Sequence, residues 1–136
     1  MTFALWIKLN THTSCHILDL RKVPGTTTEV GYQPLYYNTS SGIQIYGSAG
    51  GSSYIPCSLG TDWHHLVVTL ESNLAVLYLD GVKKGQTSLN GLEKVVHATI
   101  GCRATGTNPC PGIIQDVRIY NHALNKAEIK ELARAK

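Results

Sequence analysis

Trp63-His-His-Leu-Val-Val-Thr-Leu70, Glu71-Ser-Asn73, Leu74-Ala-Val-Leu-Tyr-Leu79 and Asp80-Gly81 follow one another without interruption, and this stretch decides the fold. Two apolar runs rich in β-branched and aromatic residues, each of strand length, flank a short polar connection. Asp80-Gly81 then supplies a two-residue type I′ turn, because both central positions need φ > 0, which Asp and Gly accept. Val82-Lys-Lys-Gly-Gln-Thr-Ser88 continues beyond it, so the stretch is predicted as a three-strand antiparallel meander. His64 and His65 are neighbours on a strand and therefore point to opposite faces. They do not converge on one metal or one proton; one is expected in the core and the other outside. His97 and His122 stand alone in the sequence.

Further strands lie on both sides of the meander. Phe3, Leu5, Ile7 and Leu9 alternate with Ala4 and Trp6, apolar groups on both faces, which predicts a central strand covered on each side. His16 to Leu20, Thr27 to Val30, Leu35 to Asn38, Gly42 to Tyr46, Val95 to Ile100 and Ile113 to Tyr120 have strand composition. In the last of these, Ile113, Gln115, Val117 and Ile119 are expected on one face and Ile114, Asp116, Arg118 and Tyr120 on the other. Pro24-Gly25, Asn38-Thr-Ser-Ser-Gly42 and Gly47-Ser-Ala-Gly-Gly-Ser-Ser53 read as turns or loops. Only the end is helical. Asn125 and Glu128 form a reciprocal capping box, and Leu124 and Ile129 occupy the positions of a hydrophobic staple. A helix from about Lys126 to Ala133 follows, short enough that it must dock on a sheet to persist. Many short strands, Gly-rich turns and one terminal helix imply an all-β protein: an antiparallel β-sandwich of the jelly-roll type with one short C-terminal helix.

The 136 residues support one domain, 1–136, without repeats or linkers. With 43% hydrophobic and 15% charged residues, the chain is not disordered in composition. No apolar run approaches the roughly 20 residues that a membrane span requires, so no membrane insertion is expected. Twelve Lys and Arg against nine Asp and Glu give +3, too small and too scattered a charge for nucleic-acid binding. The N-terminus Met1-Thr-Phe-Ala-Leu-Trp6 lacks a basic segment and a small-residue cleavage site, so it does not read as a secretory signal.

Four cysteines, Cys15, Cys57, Cys102 and Cys110, suit disulfides and allow three pairings. Cys102 and Cys110 bracket a turn-rich segment between two apolar runs. A bridge between them would close a loop between neighbouring strands, worth about 2.5 kcal/mol, and would leave Cys15 with Cys57. His12, Cys15 and His16 are metal-ligand types, but they lack the second ligand pair of a structural zinc motif.

Catalytic patterns are weak. Paired carboxylates for glycoside hydrolysis need to share a face at a defined separation; Asp19, Glu29, Asp62, Glu71, Asp80, Glu93 and Asp116 are isolated, and Glu128 and Glu131 belong to the helix. The chain has no Gly-x-Ser-x-Gly elbow and no phosphate-cradling glycine loop before a helix. The expectation is therefore no enzyme. Binding is the better reading, with Tyr36, Tyr37, Tyr46 and Tyr54 as ligand-contact candidates, because aromatic rings stack on sugars. Tyr36 and Tyr37 must face opposite ways on a strand, so at most one is core. Asn38-Thr-Ser40 is a formal N-glycosylation sequon in a loop.

Trp63-His-His-Leu-Val-Val-Thr-Leu70 followed by Leu77-Tyr-Leu-Asp-Gly-Val82 resembles the meander of laminin-G-like domains in the concanavalin A-like lectin/glucanase superfamily. Gly112 to Leu124 with Ala127 to Leu132 is similar to that family's closing strand and helix, and Thr2 to Lys8 to its early strand. The three motifs occur in order and span nearly the whole chain. The resemblance implies a concanavalin A-like jelly roll acting as a recognition module for a glycan or a protein surface, in an extracellular or surface-exposed setting. Family members usually begin with an earlier strand that is missing ahead of Trp6. The resemblance therefore implies one of three things: the C-terminal or central segment fills the gap at that sheet edge, a partner chain does, as in a homo-oligomer joined through the edge, or the chain is part of a larger protein. Related glycosidases bind a structural calcium ion through an Asp that Asp116 matches, without the usual co-ligands.

Overall fold

The computed structural model describes residues 1–21, 35–46, 52–88, 97–103 and 105–134. The strand expected at Thr27 to Val30 and most of the Gly47 to Ser53 loop lie outside them. Ten strands and one helix are present among the described residues: β1 Thr2–Leu9, β2 Cys15–Arg21, β3 Leu35–Asn38, β4 Gly42–Tyr46, β5 Ser52–Ile55, β6 Trp63–Glu71, β7 Leu74–Leu79, β8 Val82–Ser88, β9 His97–Ile100, β10 Gly112–Tyr120 and α1 Lys126–Arg134. They form two antiparallel five-stranded sheets. The first runs β10-β1-β6-β7-β8 and the second β5-β4-β3-β2-β9.

The meander forms as its turn chemistry dictates. β6 pairs with β7 and β7 with β8. Asp80 and Gly81 carry φ of 53° and 82°, the two positive values of a type I′ turn. Ser72 and Asn73 are also at positive φ, 49° and 63°, so the second connection is an equally tight two-residue turn. β1 lies between β10 and β6 and is buried on both faces, as its doubly apolar alternation predicts.

Phe3, Leu5, Ile7 and Leu9 of β1 meet Ile17, Leu18, Leu20, Leu35, Tyr37, Ile43, Ile45 and Ile55 of the second sheet and Leu66, Val68 and Leu77 of the first in one core. Burying each such large side chain contributes about 1.5–3 kcal/mol. One flank of the sandwich is closed where β8 crosses β5: a Cβ on Gly85 would lie 2.9 Å from the Ile55 side chain, so only glycine permits that approach.

Ala4, Val67 and Tyr78, on the outer face of the first sheet, form a second apolar cluster with Leu124 and Ile129. The helix therefore docks as a short helix must. Its start is the expected capping box: the Asn125 backbone N–H donates to Glu128 Oε1 at 3.3 Å and the Glu128 N–H to Asn125 Oδ1 at 2.9 Å. Thr2 Oγ1 donates to the His122 carbonyl and accepts from the Leu124 N–H, which fixes the chain's approach to the helix.

Three expectations need correction. Ser52–Ile55 is a strand, not the end of a loop; its two serines masked the alternation that Tyr54 and Ile55 complete. In β10 the alternation breaks. Asp116 adopts φ 52° and the β1–β10 register shifts between Ala4 and Trp6, a bulge that lets one extra residue into the edge strand. Ile114 thus pairs with Ile7 and Ile119 with Phe3, so both lie on the same face despite their odd spacing, Ile114 packed against the core and Ile119 exposed.

The third correction concerns the cysteines. The disulfide joins Cys15 and Cys110, with Cα atoms 4.9 Å apart, and Cys57 and Cys102 are free. The loop that a Cys102–Cys110 bridge was expected to close is held by backbone bonds instead: Cys110 N–H to Gly101 O, Arg103 N–H to Thr107 O and Gly106 N–H to Arg103 O. Cys57 hydrogen-bonds the backbone of Ile43 on β4, and burial pushes its thiol pKa up. Since β3 separates β4 from the strand carrying Cys15, a Cys15–Cys57 bridge is out of reach.

Candidate functional site: the outer face of the second sheet

Side chains on a strand alternate between faces, so the core residues of the second sheet place their neighbours outside. His16 pairs with Tyr36, Tyr36 with Gln44, and Gln44 with Tyr54. These four residues, on β2, β3, β4 and β5, form one row that crosses the strands at a single register level. Tyr54 is exposed, Tyr36 half-buried, and Gln44 and His16 are buried, at 9% and 7% exposure. The His16 and Tyr36 rings contact each other with centroids 4.7 Å apart. Asp19, also buried, pairs with Thr99 of β9 on this face.

The four tyrosine candidates therefore separate. Tyr36 and Tyr54 share the row. Tyr37 faces the core and is fully buried; its hydroxyl accepts the Leu59 N–H at 3.1 Å and hydrogen-bonds His12 Nε2 at 2.8 Å, so it is a structural residue with no surface for a ligand. Tyr46 closes β4 opposite Ser52. Gln44 and His16 were not among the ligand-contact candidates. The signal that finds them is the strand register, since neither type nor position marks them in the sequence.

Asn38 lies at the β3–β4 turn, where its Oδ1 accepts the N–H groups of Ser40 and Ser41 at 2.9 and 3.0 Å.

The other chemistry-bearing groups are engaged in ways that suit structure. Asp116 and Arg118 form a two-point ion pair, Nε to Oδ1 at 2.9 Å and Nη2 to Oδ2 at 3.1 Å. The guanidinium's hydrogen bonds hold the Asp116 pKa below the usual carboxylate range. Both oxygens of this carboxylate are engaged by the guanidinium, and no group of three or more His, Cys, Asp or Glu gathers among the described residues.

His65 is buried against Trp6, ring centroids 4.9 Å apart. Burial lowers its pKa, as does Arg118 more weakly, while Asp80 and Asp116 oppose the shift. His64 points the other way and meets Asp80 at 2.7 Å, and Asp80 also accepts the His65 N–H. A shallow cavity of about 410 Å³ between β10 and α1 is lined by Tyr120, Leu124, Leu132, Glu128 and Glu131 among others. Its two carboxylates are committed to the helix cap and to Arg134.

Among curated proteins, the chain is 28% identical over 143 residues to adhesion G-protein coupled receptor V1 of Danio rerio, covering 96% of this chain and 2% of the receptor. The fold matches domain 4 of AbnA, an extracellular arabinanase of Geobacillus stearothermophilus solved with arabinotriose, at TM-score 0.74 and 20% identity, over 97% of this chain and 65% of that one. It also matches a Ruminococcus gnavus sialidase CBM40 bound to sialyllactose, at TM-score 0.72 and 13% identity, over 97% and 81%. These likenesses to solved structures show the fold, a β-sandwich. With residues 1–130 matched by its model, the chain belongs to the laminin-G-like family of the concanavalin A-like lectin/glucanases superfamily.

Proposed function

We propose that this chain is a non-catalytic recognition module that binds a glycan on the outer face of its second sheet. The observation that carries this reading is the row Tyr54, Gln44, Tyr36 and His16. Its exposed Tyr54 and half-buried Tyr36 offer aromatic faces for the apolar C–H side of a sugar ring and phenol groups for its hydroxyls, over a base in which Gln44 and His16 are buried. The rigid sheet beneath limits the entropy lost on binding. The arabinanase domain solved with arabinotriose and the carbohydrate-binding module solved with sialyllactose support the class of ligand.

The setting is extracellular. A Cys15–Cys110 bridge suits an oxidising compartment, and the matched receptor is an adhesion protein. A glycan array probed with the wild-type chain and with Tyr54→Ala tests the proposal: discrete hits that vanish in the variant support it, whereas a blank array, or hits that survive, contradict it.

A second reading, assembly through a sheet edge, is favoured by one observation. β10 is an edge strand whose Ile113, Val117 and Ile119 are exposed. The bulge and the charged pair at Asp116 and Arg118 oppose regular strand addition, which ranks this reading behind glycan binding. Light scattering at micromolar concentration separates them, a symmetric dimer being the outcome that favours assembly.

A further inference from the structure

We infer that Asn38 is an acceptor for an N-linked glycan, and that the attached glycan stands at the Tyr36 end of the outer face and restricts what docks there. The modification rests on the extracellular reading and its effect on docking on the recognition reading; separate measurements read the two.

Of the asparagines in the chain, only Asn38 begins the pattern Asn-x-Ser/Thr. Asn73 and Asn108 hold positive φ, and Asn125 caps the helix. Asn38 is placed differently. Its Oδ1 accepts the Ser40 and Ser41 N–H groups across the β3–β4 turn, which fixes the plane of the amide. The other end of that amide is left over: Nδ2 has no hydrogen-bond partner among the described residues and is not sealed from solvent.

That nitrogen is the atom that N-glycosylation uses. Nδ2 forms a bond to the anomeric carbon of an oligosaccharide carried on a polyprenyl diphosphate. The bond from that carbon to the diphosphate oxygen breaks, and one Nδ2 proton leaves to a base of the transferase. The product is still a planar amide that keeps Oδ1 as a carbonyl. The two bonds from Ser40 and Ser41 therefore survive, and the turn tolerates the modified side chain.

The surroundings leave room for the sugar. Gly42 pairs with Asn38 on β4, Ser14 accepts the Thr39 N–H at 3.1 Å through its Oγ, and Ser40 and Ser41 are exposed. None of these is bulky. N-linked glycans are large and need such a surface position. Asn38 also stands two residues beyond Tyr36 on β3, hence on the same outer face and about 7 Å along the strand. The first sugars of the glycan cover the approach to Tyr36 from that end. Tyr54, two strands away on β5, stays clear.

The test secretes the intact chain from cultured animal cells behind a cleavable leader, so the route to the transferase is supplied. Wild type, Ser40→Ala and Ser40→Thr are weighed by mass spectrometry before and after N-glycosidase treatment. Ser40→Ala removes the hydroxyl of the pattern and keeps the backbone N–H that Asn38 Oδ1 engages, so the turn is retained. Wild type and Ser40→Thr should each carry one glycan, which the glycosidase removes while converting the Asn38 amide to an acid. Ser40→Ala should carry none. Secreted wild type without a glycan, or a glycan that persists in Ser40→Ala, overturns the assignment.

Glycan-array titration of the same material reads the second half. Unmodified Ser40→Ala should bind its array hits about tenfold more tightly than glycosylated wild type. Equal binding by the two, with Tyr54→Ala abolishing both, overturns the shielding while the recognition face stands. Hits on Ser40→Ala that survive Tyr54→Ala overturn the recognition face, and with it the shielding, while Asn38 stands as an acceptor.

Discussion

The two sheets of this sandwich use their outer faces in opposite ways. On the first, Ala4, Val67 and Tyr78 are sealed under Leu124 and Ile129 of the approach to α1 and the helix itself, so that face adds a second apolar core. On the second, the same alternation places His16, Tyr36, Gln44 and Tyr54 outward, and the one helix among the described residues lies elsewhere. Apolar side chains on an outer face demand a cover, and the capped helix provides it. Tyrosine side chains on an outer face can face water, as Tyr54 and in part Tyr36 do, and remain available to a ligand. The contrast separates stability from recognition within one small domain, and each side of it can be perturbed alone.

The largest effect on stability should come from the Cys15–Cys110 bridge, which is common to both faces. It joins residues 95 apart in sequence, and closing a loop of that length stabilises by about 4–5 kcal/mol on the chain-entropy estimate. Cys15→Ser with Cys110→Ser should lower the urea midpoint accordingly, whereas Cys102→Ser, at a free thiol, should not; equal loss in both would point to a different pairing in solution.

Next comes Ile129→Ala, which removes a fully buried side chain from under the helix. It should cost about 2–5 kcal/mol by urea titration and leave glycan affinity of the folded fraction unchanged. Loss of affinity without loss of stability would mean that the faces are not separate.

A smaller effect, about 1 kcal/mol, is expected for Asn125→Ala, which removes the cap acceptor for the Glu128 N–H. It should again appear in the urea midpoint and not in binding.

The pH dependence isolates the first sheet in another way. His65 faces Asp80, Asp116 and Arg118, and its burial lowers its folded-state pKa below 6.5. The unfolded chain therefore binds the proton more readily, so stability should be full above pH 6.5 and decline as pH falls from there toward the folded-state pKa. His65→Phe should flatten the dependence of melting temperature on pH between 7 and 5; an unchanged slope would assign it to other groups.

Much of this architecture was legible in the sequence, and the exceptions have physical causes. The meander, the central β1 and the capped helix were readable because each rests on local signals: alternation, an Asp-Gly turn, a reciprocal cap. The disulfide was not. Cys15 and Cys110 meet only because the β2 end of one sheet and the segment before β10 come together across the sandwich, and sequence spacing instead favoured the nearer pair. The bulge at Asp116 was hidden because Ile113 to Tyr120 alternates cleanly as written, and only the pairing with Phe3 and Ile7 exposes the extra residue.

The candidate site was half legible. Tyr36 and Tyr54 stood out as aromatic residues in strand-like segments, but Tyr37 was equally conspicuous and lies in the core. Gln44 and His16 gain meaning only from the cross-strand register, a non-local property.

Mapping backbone amide shifts by NMR while titrating the labelled chain with its strongest array glycan tests the separation of faces most directly. The largest changes should fall on His16, Tyr36, Gln44 and Tyr54, with Tyr120, Leu124 and Ile129 unmoved. Changes concentrated at α1 and β10, with the second sheet silent, would contradict the assignment of recognition to that face.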